Sequence, residues 1–134
     1  MQELKDRIVK EGKVLPGNII KVDGFLNHRI DTELMDHIAE EFGKHFNMDE
    51  VTMILTAEAS GIALSAIVAH HFHKPMIFAK KAKSDNIEGG LYQSDIFSYT
   101  YKKKVTLLVS KEWLSADDKV LIIDDFIANG EGMR

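Results

Sequence analysis

The chain has 134 residues and a mass of 15.1 kDa, which fits one domain and leaves no room for two. Its apolar fraction of 45% and charged fraction of 28% are typical of a folded globular protein rather than a disordered one. A formal net charge of −4 argues against nucleic-acid binding through a basic face, and no apolar run approaches the roughly 20 residues of a membrane span. Because there is no cysteine and no apolar signal segment near the N-terminus, we expect a cytoplasmic protein that binds neither nucleic acid nor membrane.

The first third of the chain predicts two amphipathic helices with a compact segment between them. Residues 2–12 carry apolar side chains at helical spacing and stop at a glycine. Segment 14–31 contains a proline–glycine and an aspartate–glycine pair, both of which are turn signals. Asp31 can cap the second helix. The apolar residues of that helix repeat at a spacing of three to four: Leu34, Met35, Ile38, Phe42 and Phe46.

From residue 51 onward the pattern alternates between buried strands and a helix. The runs 51–56 and 75–80 predict strands, and 61–72 between them predicts a helix. Such alternation implies parallel strands joined by crossover helices. A last buried strand is predicted at 119–123. The fold class is therefore α/β, with a parallel sheet flanked by helices.

A loop and a hairpin are predicted between the second and the last of these strands. Residues 81–90 are polar and contain glycine, as in a mobile loop. Residues 92–98 alternate in character and, together with 104–110, predict an antiparallel hairpin that turns near 101–103.

The most informative stretch is VLIIDDFIANGEG, residues 120–132. Its apolar start passes through the sheet interior and delivers Asp124 and Asp125 to the carboxyl edge, where open α/β sheets bind ligands. The small residues that follow let backbone N–H groups surround an anion at the start of a helix. Carboxylates that accept hydrogen bonds from vicinal ribose hydroxyls, beside such a cradle, suit a sugar phosphate.

Two other interpretations of the acid pair exist. Acidic strand ends bind Mg²⁺ in response-regulator receivers, and an acid pair can also end a strand without any partner. The loop of small residues that begins two residues after the pair, with glycines at 130 and 132, favours the sugar-phosphate site.

Residues 120–132 resemble the phosphoribosyl-pyrophosphate (PRPP) signature of the type I phosphoribosyltransferases. The rest of the chain resembles their bacterial xanthine phosphoribosyltransferase branch in LKDRIVKEG, KVDGFLNHRID, ILTAEASGIA, FAKKAKS and SKEWLS. The resemblance therefore covers essentially the whole chain. It implies the type I fold, in which a small N-terminal hood (here 14–31) and a β-hairpin flexible loop accompany the sheet. We expect one domain over 1–134 that is incomplete at its C-terminus, with the C-terminal strands missing.

The resemblance implies transfer of the 5-phosphoribosyl group from PRPP to N9 of xanthine, which yields xanthosine 5′-monophosphate and pyrophosphate in purine salvage. Mg²⁺ enters with PRPP, no residue is assigned to a metal, and a homodimer is expected. By residue-level carry-over, Asp124 and Asp125 are the catalytic acids that hold the ribose hydroxyls. The implied 5′-phosphate loop comprises Ala128, Asn129, Gly130, Glu131 and Gly132. Since the last of these is a glycine, a side-chain contact found in the family is replaced by backbone contacts alone.

Two further segments complete the implied site. The turn after the first buried strand matches the pyrophosphate loop of the family: Glu58, Ala59, Ser60 and Gly61. From the residues alone, Ser60 is better interpreted as an ordinary helix cap. In the hood, Ile20 and Asn27 lie where the family contacts xanthine, as an apolar wall and as an amide that can read an oxo group. The family more often has Leu at the position of Ile20, and an Asn before His28 would otherwise be a turn residue.

Three lysines precede the predicted mobile loop: Lys80, Lys81 and Lys83. The resemblance implies that cations here, Lys81 and Lys83 above all, offset the charge that develops on pyrophosphate across a dimer interface. From the residues alone, a solvated basic face is the simpler interpretation.

Two other features are interpreted as structural. His70 and His73 could share a helix face, but zinc needs three or four ligands and no third lies at a suitable spacing, so His70, His71 and His73 predict a polar helix end. Trp113 is predicted to anchor the packing near the turn at 117–118.

Two alternatives to an enzyme remain open on the sequence. One is a regulator that senses PRPP or a nucleotide on the same fold, although no basic DNA-binding segment accompanies it. The other is a folded but inactive fragment, since missing strands would expose apolar surface.

Overall fold

The computed structural model describes residues 1–15, 19–81, 90–98 and 103–125. Three helices lie among them: α1 (Gln2–Glu11), α2 (Thr32–His45) and α3 (Ile62–Phe72). A π-helical turn (Asp23–Asn27) and a 3₁₀ turn (Met48–Glu50) flank α2. The strands are β1 (Lys13–Leu15), β2 (Ile19–Lys21), β3 (Met53–Ala57), β4 (Met76–Lys81), β5 (Leu91–Ser98), β6 (Lys103–Ser110) and β7 (Val120–Ile122).

The main sheet has five strands in the order β5-β6-β4-β3-β7. β3 pairs in parallel with β4 and with β7, which confirms the predicted parallel strands. The predicted hairpin also forms, and it adds to the same sheet, because β6 pairs antiparallel with β4 and with β5. The sheet is therefore mixed. Residues 101 and 102 of the predicted turn, and 82–89 of the predicted loop, lie outside the described residues.

The core forms where α3 packs on β3 and β4 and against α2. Ile54 on β3 is fully buried on the face that α3 covers, as is Val68 of α3. The predicted apolar stripe of α2 is buried at Leu34, Met35 and Ile38. The amphipathic pattern therefore identified the face with which α2 packs into the core, although Phe46, the last residue of the predicted stripe, is 46% exposed.

The hood is a small antiparallel hairpin followed by one π-helical turn. β1 pairs with β2, and the turn begins at the predicted aspartate–glycine pair; the proline–glycine pair lies outside the described residues. Phe25 in the π-helical turn is fully buried in the same core as α2 and α3, and the Arg7 guanidinium lies 5.1 Å from the centre of its ring. This anchor fixes the end of the turn, where Asn27 lies.

Asp31 caps α2 as predicted. Its Oδ1 accepts a hydrogen bond from the backbone N–H of Leu34 at 3.1 Å, and its Oδ2 accepts one from Arg7 at 2.8 Å. The hydrogen bond from Arg7, and then the one from Leu34, hold the pKa of Asp31 below its ordinary value. The carboxylate of Asp31 thus caps the N-terminus of α2 and links α2 to α1 through Arg7.

The interpretation of Trp113 as a packing anchor was wrong, because its side chain is 67% exposed. It lies in the turn directly after β6, and the neighbouring Leu114 packs in its place against the cluster of Ala79, Leu107 and Val109. The interpretation of the histidines as a polar helix end is confirmed, since His70 and His71 are exposed in the last turn of α3. In the part of the chain that the structure describes, no helix combines the length and apolarity needed to cross a bilayer.

Candidate active site

The parallel pairing of β3, β4 and β7 brings three chain segments to one edge of the sheet. Loop 58–61 follows β3, Lys81 ends β4, and Asp124 and Asp125 follow β7. Backbone hydrogen bonds continue to this edge: Ile123 N–H donates to Leu55 at 2.9 Å. The carboxyl edge on which the sequence placed a ligand site is therefore the edge at which these predicted residues meet.

Asp124 is the electrostatically perturbed group of this edge. Its Oδ1 accepts a hydrogen bond from the backbone N–H of Asp125 at 2.8 Å. Burial and, to a smaller extent, the hydrogen bond with the Asp125 carboxyl together raise the pKa of Asp124 to about 7. Ionised and protonated forms of Asp124 are therefore both accessible near neutral pH, as expected for a functional carboxyl rather than a solvated one.

Asn27 of the hood reaches Asp125 across 98 residues of sequence. Its Nδ2 donates to Asp125 Oδ2 at 3.2 Å. Its Oδ1 is buried and has no hydrogen-bond partner among the described atoms. The hood residue predicted at the base and the acid predicted at the ribose are thus in direct contact, and a polar atom of Asn27 is left for a ligand. No sequence pattern indicates this contact, because it depends on how the hood folds over the sheet.

The predicted pyrophosphate loop lies between β3 and α3. The peptide bond between Glu58 and Ala59 is cis, and the Glu58 carboxylate accepts a hydrogen bond from the backbone N–H of Lys81. Ala59 and Ser60 are exposed. Gly61 caps α3 without any side-chain hydrogen bond, so the interpretation of Ser60 as a helix cap was wrong. The start of α3 faces this edge with a partly unsatisfied backbone, which is the usual setting for an anion.

Gly61 is held in a space that admits no side chain. A Cβ atom at this position would lie 2.3 Å from Thr56 Oγ1 and 2.7 Å from Asp124 Oδ1. Thr56 is only 2% exposed, and its hydroxyl has no hydrogen-bond partner among the described atoms. The sequence analysis missed Thr56 as a site residue. The available signal was a hydroxyl at the buried end of an otherwise apolar strand.

Several predicted residues cannot be placed in the site. The phosphate loop 128–132 and Lys83 lie outside the described residues. Ile20 lies in β2 opposite Val14, and only its backbone is described. Among the residues that are described, no group of three or more His, Cys, Asp or Glu side chains is arranged to hold a metal ion.

Comparison with curated proteins identifies the family, although no family model matches the chain. The xanthine phosphoribosyltransferase of Lachnoclostridium phytofermentans is 54% identical over 130 residues, which are 97% of this chain and 67% of that protein. This chain belongs to the xanthine phosphoribosyltransferase family. Family members from Bifidobacterium animalis subsp. lactis and Ligilactobacillus salivarius are each 48% identical, and each match covers 100% of this chain and 70% of the relative. The chain therefore spans about two thirds of the length of these xanthine phosphoribosyltransferases.

Solved structures with the same fold are adenine phosphoribosyltransferases. The APRTase from Giardia lamblia, complexed with 9-deazaadenine, superposes with a TM-score of 0.75 at 22% identity over 96% of this chain and 71% of that one. The Saccharomyces cerevisiae enzyme gives 0.72 at 16% identity, covering 99% of this chain and 77% of that one. These likenesses confirm the type I phosphoribosyltransferase fold predicted from the sequence.

We expect Gly61→Ala to destabilise this member of the xanthine phosphoribosyltransferase family, by about 1–3 kcal/mol as is typical of overpacked positions. The added methyl group would stand where Thr56 Oγ1 and Asp124 Oδ1 now lie. Gly24→Ala is the matched control, because no atom lies within 4 Å of its Cβ position. Urea denaturation measures both variants, and equal free energies of unfolding for the two would contradict the crowding at Gly61.

A second expectation concerns the pH dependence of stability. Folding raises the pKa of Asp124 from an ordinary value of 3.8 to about 7, so between these values the folded chain binds more protons than the unfolded chain. The free energy of unfolding of the wild type should therefore fall as the pH rises from 5 to 8. Asp124→Asn removes this titration, so its melting temperature should exceed that of the wild type at pH 8, by about 4 °C per kcal/mol, and this advantage should shrink towards pH 5.

The matched control for this measurement is Asp36→Asn, which removes an exposed carboxylate of α2. A melting-temperature difference for Asp124→Asn that stays constant from pH 5 to pH 8 would show that burial does not raise the pKa of Asp124.

Proposed function

We propose that this chain transfers the 5-phosphoribosyl group of PRPP to N9 of xanthine and releases xanthosine 5′-monophosphate and pyrophosphate, a reaction of purine salvage. The observation that carries the proposal is the meeting of loop 58–61, Asp124, Asp125 and Asn27 at one sheet edge, in a chain 54% identical to a xanthine phosphoribosyltransferase. Since the family is named for this activity, the contacts of the edge can be given roles in it.

In this proposal the acid pair binds the ribose. The two ribose hydroxyls of PRPP donate to Asp124 and Asp125, whose carboxylates lie side by side after β7. Residues 128–132 surround the 5′-phosphate with backbone N–H groups, as the sequence motif predicts. Holding both ends of the ribose phosphate fixes C1, the reacting carbon, relative to the hood.

Loop 58–61 and the start of α3 are proposed to bind the pyrophosphate as it leaves. Ser60 is exposed there and its hydroxyl is not used as a helix cap, which leaves it free to donate to an oxyanion. The Glu58 carboxylate accepts from the backbone N–H of Lys81, so it joins the loop to the end of β4. Lys81 and Lys83 are proposed to offset the charge that develops on the leaving group.

The base is proposed to bind under the hood. Asn27 presents a buried Oδ1 without a partner, and Ile20 is assigned to the apolar wall. As the bond from C1 to the pyrophosphate oxygen breaks, N9 of xanthine forms the new bond to C1 and its proton passes to solvent. No side-chain nucleophile is needed, because positioning and stabilisation of the leaving group carry the reaction.

Mg²⁺ is proposed to enter as the complex with PRPP. Phosphate and water oxygens are the ligands that Mg²⁺ prefers, and no described cluster of side chains supplies a complete site. When bound, the ion neutralises charge on the departing pyrophosphate. A homodimer and a cytoplasmic location are also proposed, on the same family membership.

Calorimetric titration of Mg²⁺–PRPP into the 134-residue chain should show one saturable site. Replacing Asp124 and Asp125 together by Asn should weaken binding about 100-fold or more, because each loses a charge-assisted hydrogen bond to a ribose hydroxyl. The control double variant, Asp36→Asn with Asp49→Asn, changes the net charge equally at exposed positions. Unchanged PRPP affinity in the Asp124 and Asp125 double variant would contradict the role proposed for these acids. If the folded wild type does not bind PRPP, the proposed enzymatic activity is wrong.

Measuring pyrophosphate release with xanthine, guanine and hypoxanthine tests which base is the preferred substrate. We expect the highest kcat/KM with xanthine, and a loss of that preference in Asn27→Ala because the amide faces the base. If guanine or hypoxanthine reacts fastest in the wild type, the base assignment is wrong while the PRPP site stands.

A further inference from the structure

Two hydroxyl groups are buried in the core without a hydrogen-bond partner among the described atoms. They belong to Thr56, which is 2% exposed, and to Ser65, which is fully buried in α3. A buried hydroxyl without a partner is costly, and valine would fill the position of Thr56 with the same shape and without that cost. The hydroxyl of Thr56 therefore calls for a partner, which the described residues do not supply in their present arrangement.

The geometry around Gly61 points to that partner. Thr56 Oγ1 and Asp124 Oδ1 both lie within 2.7 Å of the point where a Cβ of residue 61 would stand. The hydroxyl and the carboxylate thus share one small space over the Cα of a glycine.

Asp124 accepts a hydrogen bond from the backbone N–H of Asp125, and a donor side chain would add to that contact. Its buried position favours the protonated form, and the pKa of about 7 leaves only part of the population ionised at neutral pH. A carboxylate that accepts from ribose hydroxyls binds them best when it is ionised. A hydroxyl that donates to the carboxylate favours the ionised form.

Three other polar side chains at this edge have contacts of their own. Asp125, on the same strand end, is itself a carboxylate and raises the pKa of Asp124. The carboxylate of Glu58, in loop 58–61, accepts a hydrogen bond from the backbone N–H of Lys81. Asn27, from the hood, donates to Asp125.

We propose that Thr56 is a positioning residue for Asp124: when PRPP binds, the Thr56 hydroxyl donates to Asp124 Oδ1 and holds the carboxylate in the orientation that receives the ribose hydroxyls. The proposal rests on the PRPP site proposed above. Gly61 contributes to this contact, because only a residue without a side chain leaves room for the oxygens of Thr56 and Asp124 here. Thr56 itself does not touch the substrate.

The test compares Thr56→Val, which removes the hydroxyl and keeps the shape, with Thr56→Ser, which keeps the hydroxyl. Mg²⁺–PRPP affinity is measured by calorimetry from pH 6 to pH 9, after circular dichroism has shown that each variant is folded. Thr56→Val should bind PRPP about tenfold more weakly at pH 7, and this loss should remain at pH 9, where Asp124 is ionised in both proteins, because the hydroxyl contact is made only in the complex. Thr56→Ser should restore the affinity at both pH values. Ser65→Ala is the matched control for loss of a buried hydroxyl, and it should leave the pH profile unchanged.

The outcomes separate this proposal from the one on which it rests. If the wild type binds PRPP and Thr56→Val binds it equally at every pH, or if Thr56→Ser is as weak as Thr56→Val, the positioning role is refuted and the PRPP site stands. If the folded wild type does not bind PRPP, both proposals fail.

A measurement on the wild type does not depend on how the variants fold. On addition of Mg²⁺–PRPP, the Thr56 hydroxyl proton should become slow to exchange with solvent and visible by proton NMR. A Thr56 hydroxyl proton that still exchanges rapidly in the saturated complex would overturn the proposal.

Discussion

The parallel pairing of β3 with both β4 and β7 is the constraint on which the site depends. Parallel strands end at the same edge, so one pairing pattern collects loop 58–61, Lys81 and the acid pair, although these segments span more than 60 residues of sequence. β6 runs antiparallel to β4 and pairs with β5, so these two strands extend the sheet beyond β4. The geometry of the edge is thus a property of the sheet rather than of any single loop.

Electrostatics at this edge creates a problem that the fold resolves with neutral donors. Two adjacent carboxylates stand close to the place proposed for an anionic substrate, and burial already disfavours ionisation of Asp124. Among the described contacts, neutral groups lie against these acids. Backbone N–H groups, the amide of Asn27 and the start of α3 face them, and such dipoles stabilise charge without adding a counter-ion that would compete with the substrate.

The hood depends on the core rather than on its own hairpin for its position. Buried Phe25 and the ion pair between Arg7 and Asp31 tie the hood, α1 and α2 together, and Asn27 follows Phe25 by only two residues. A rigid anchor so close to Asn27 holds its amide against Asp125 and keeps the base and ribose parts of the proposed site in register.

The sequence by itself determined the α/β class, the order of the three helices and of the strands of the main sheet, the cap at Asp31 and the edge at which Asp124 and Asp125 emerge. These features follow from local periodicity and from the chemistry of short motifs. Other features required the tertiary structure, since they join residues that are far apart in sequence. The contact of Asn27 with Asp125, the crowding of Thr56 and Asp124 over Gly61, and the exposure of Trp113 are of this kind. Local patterns specify which face of a strand or helix is apolar, but only the packed chain decides which polar atoms of that face meet, and how deeply they are buried.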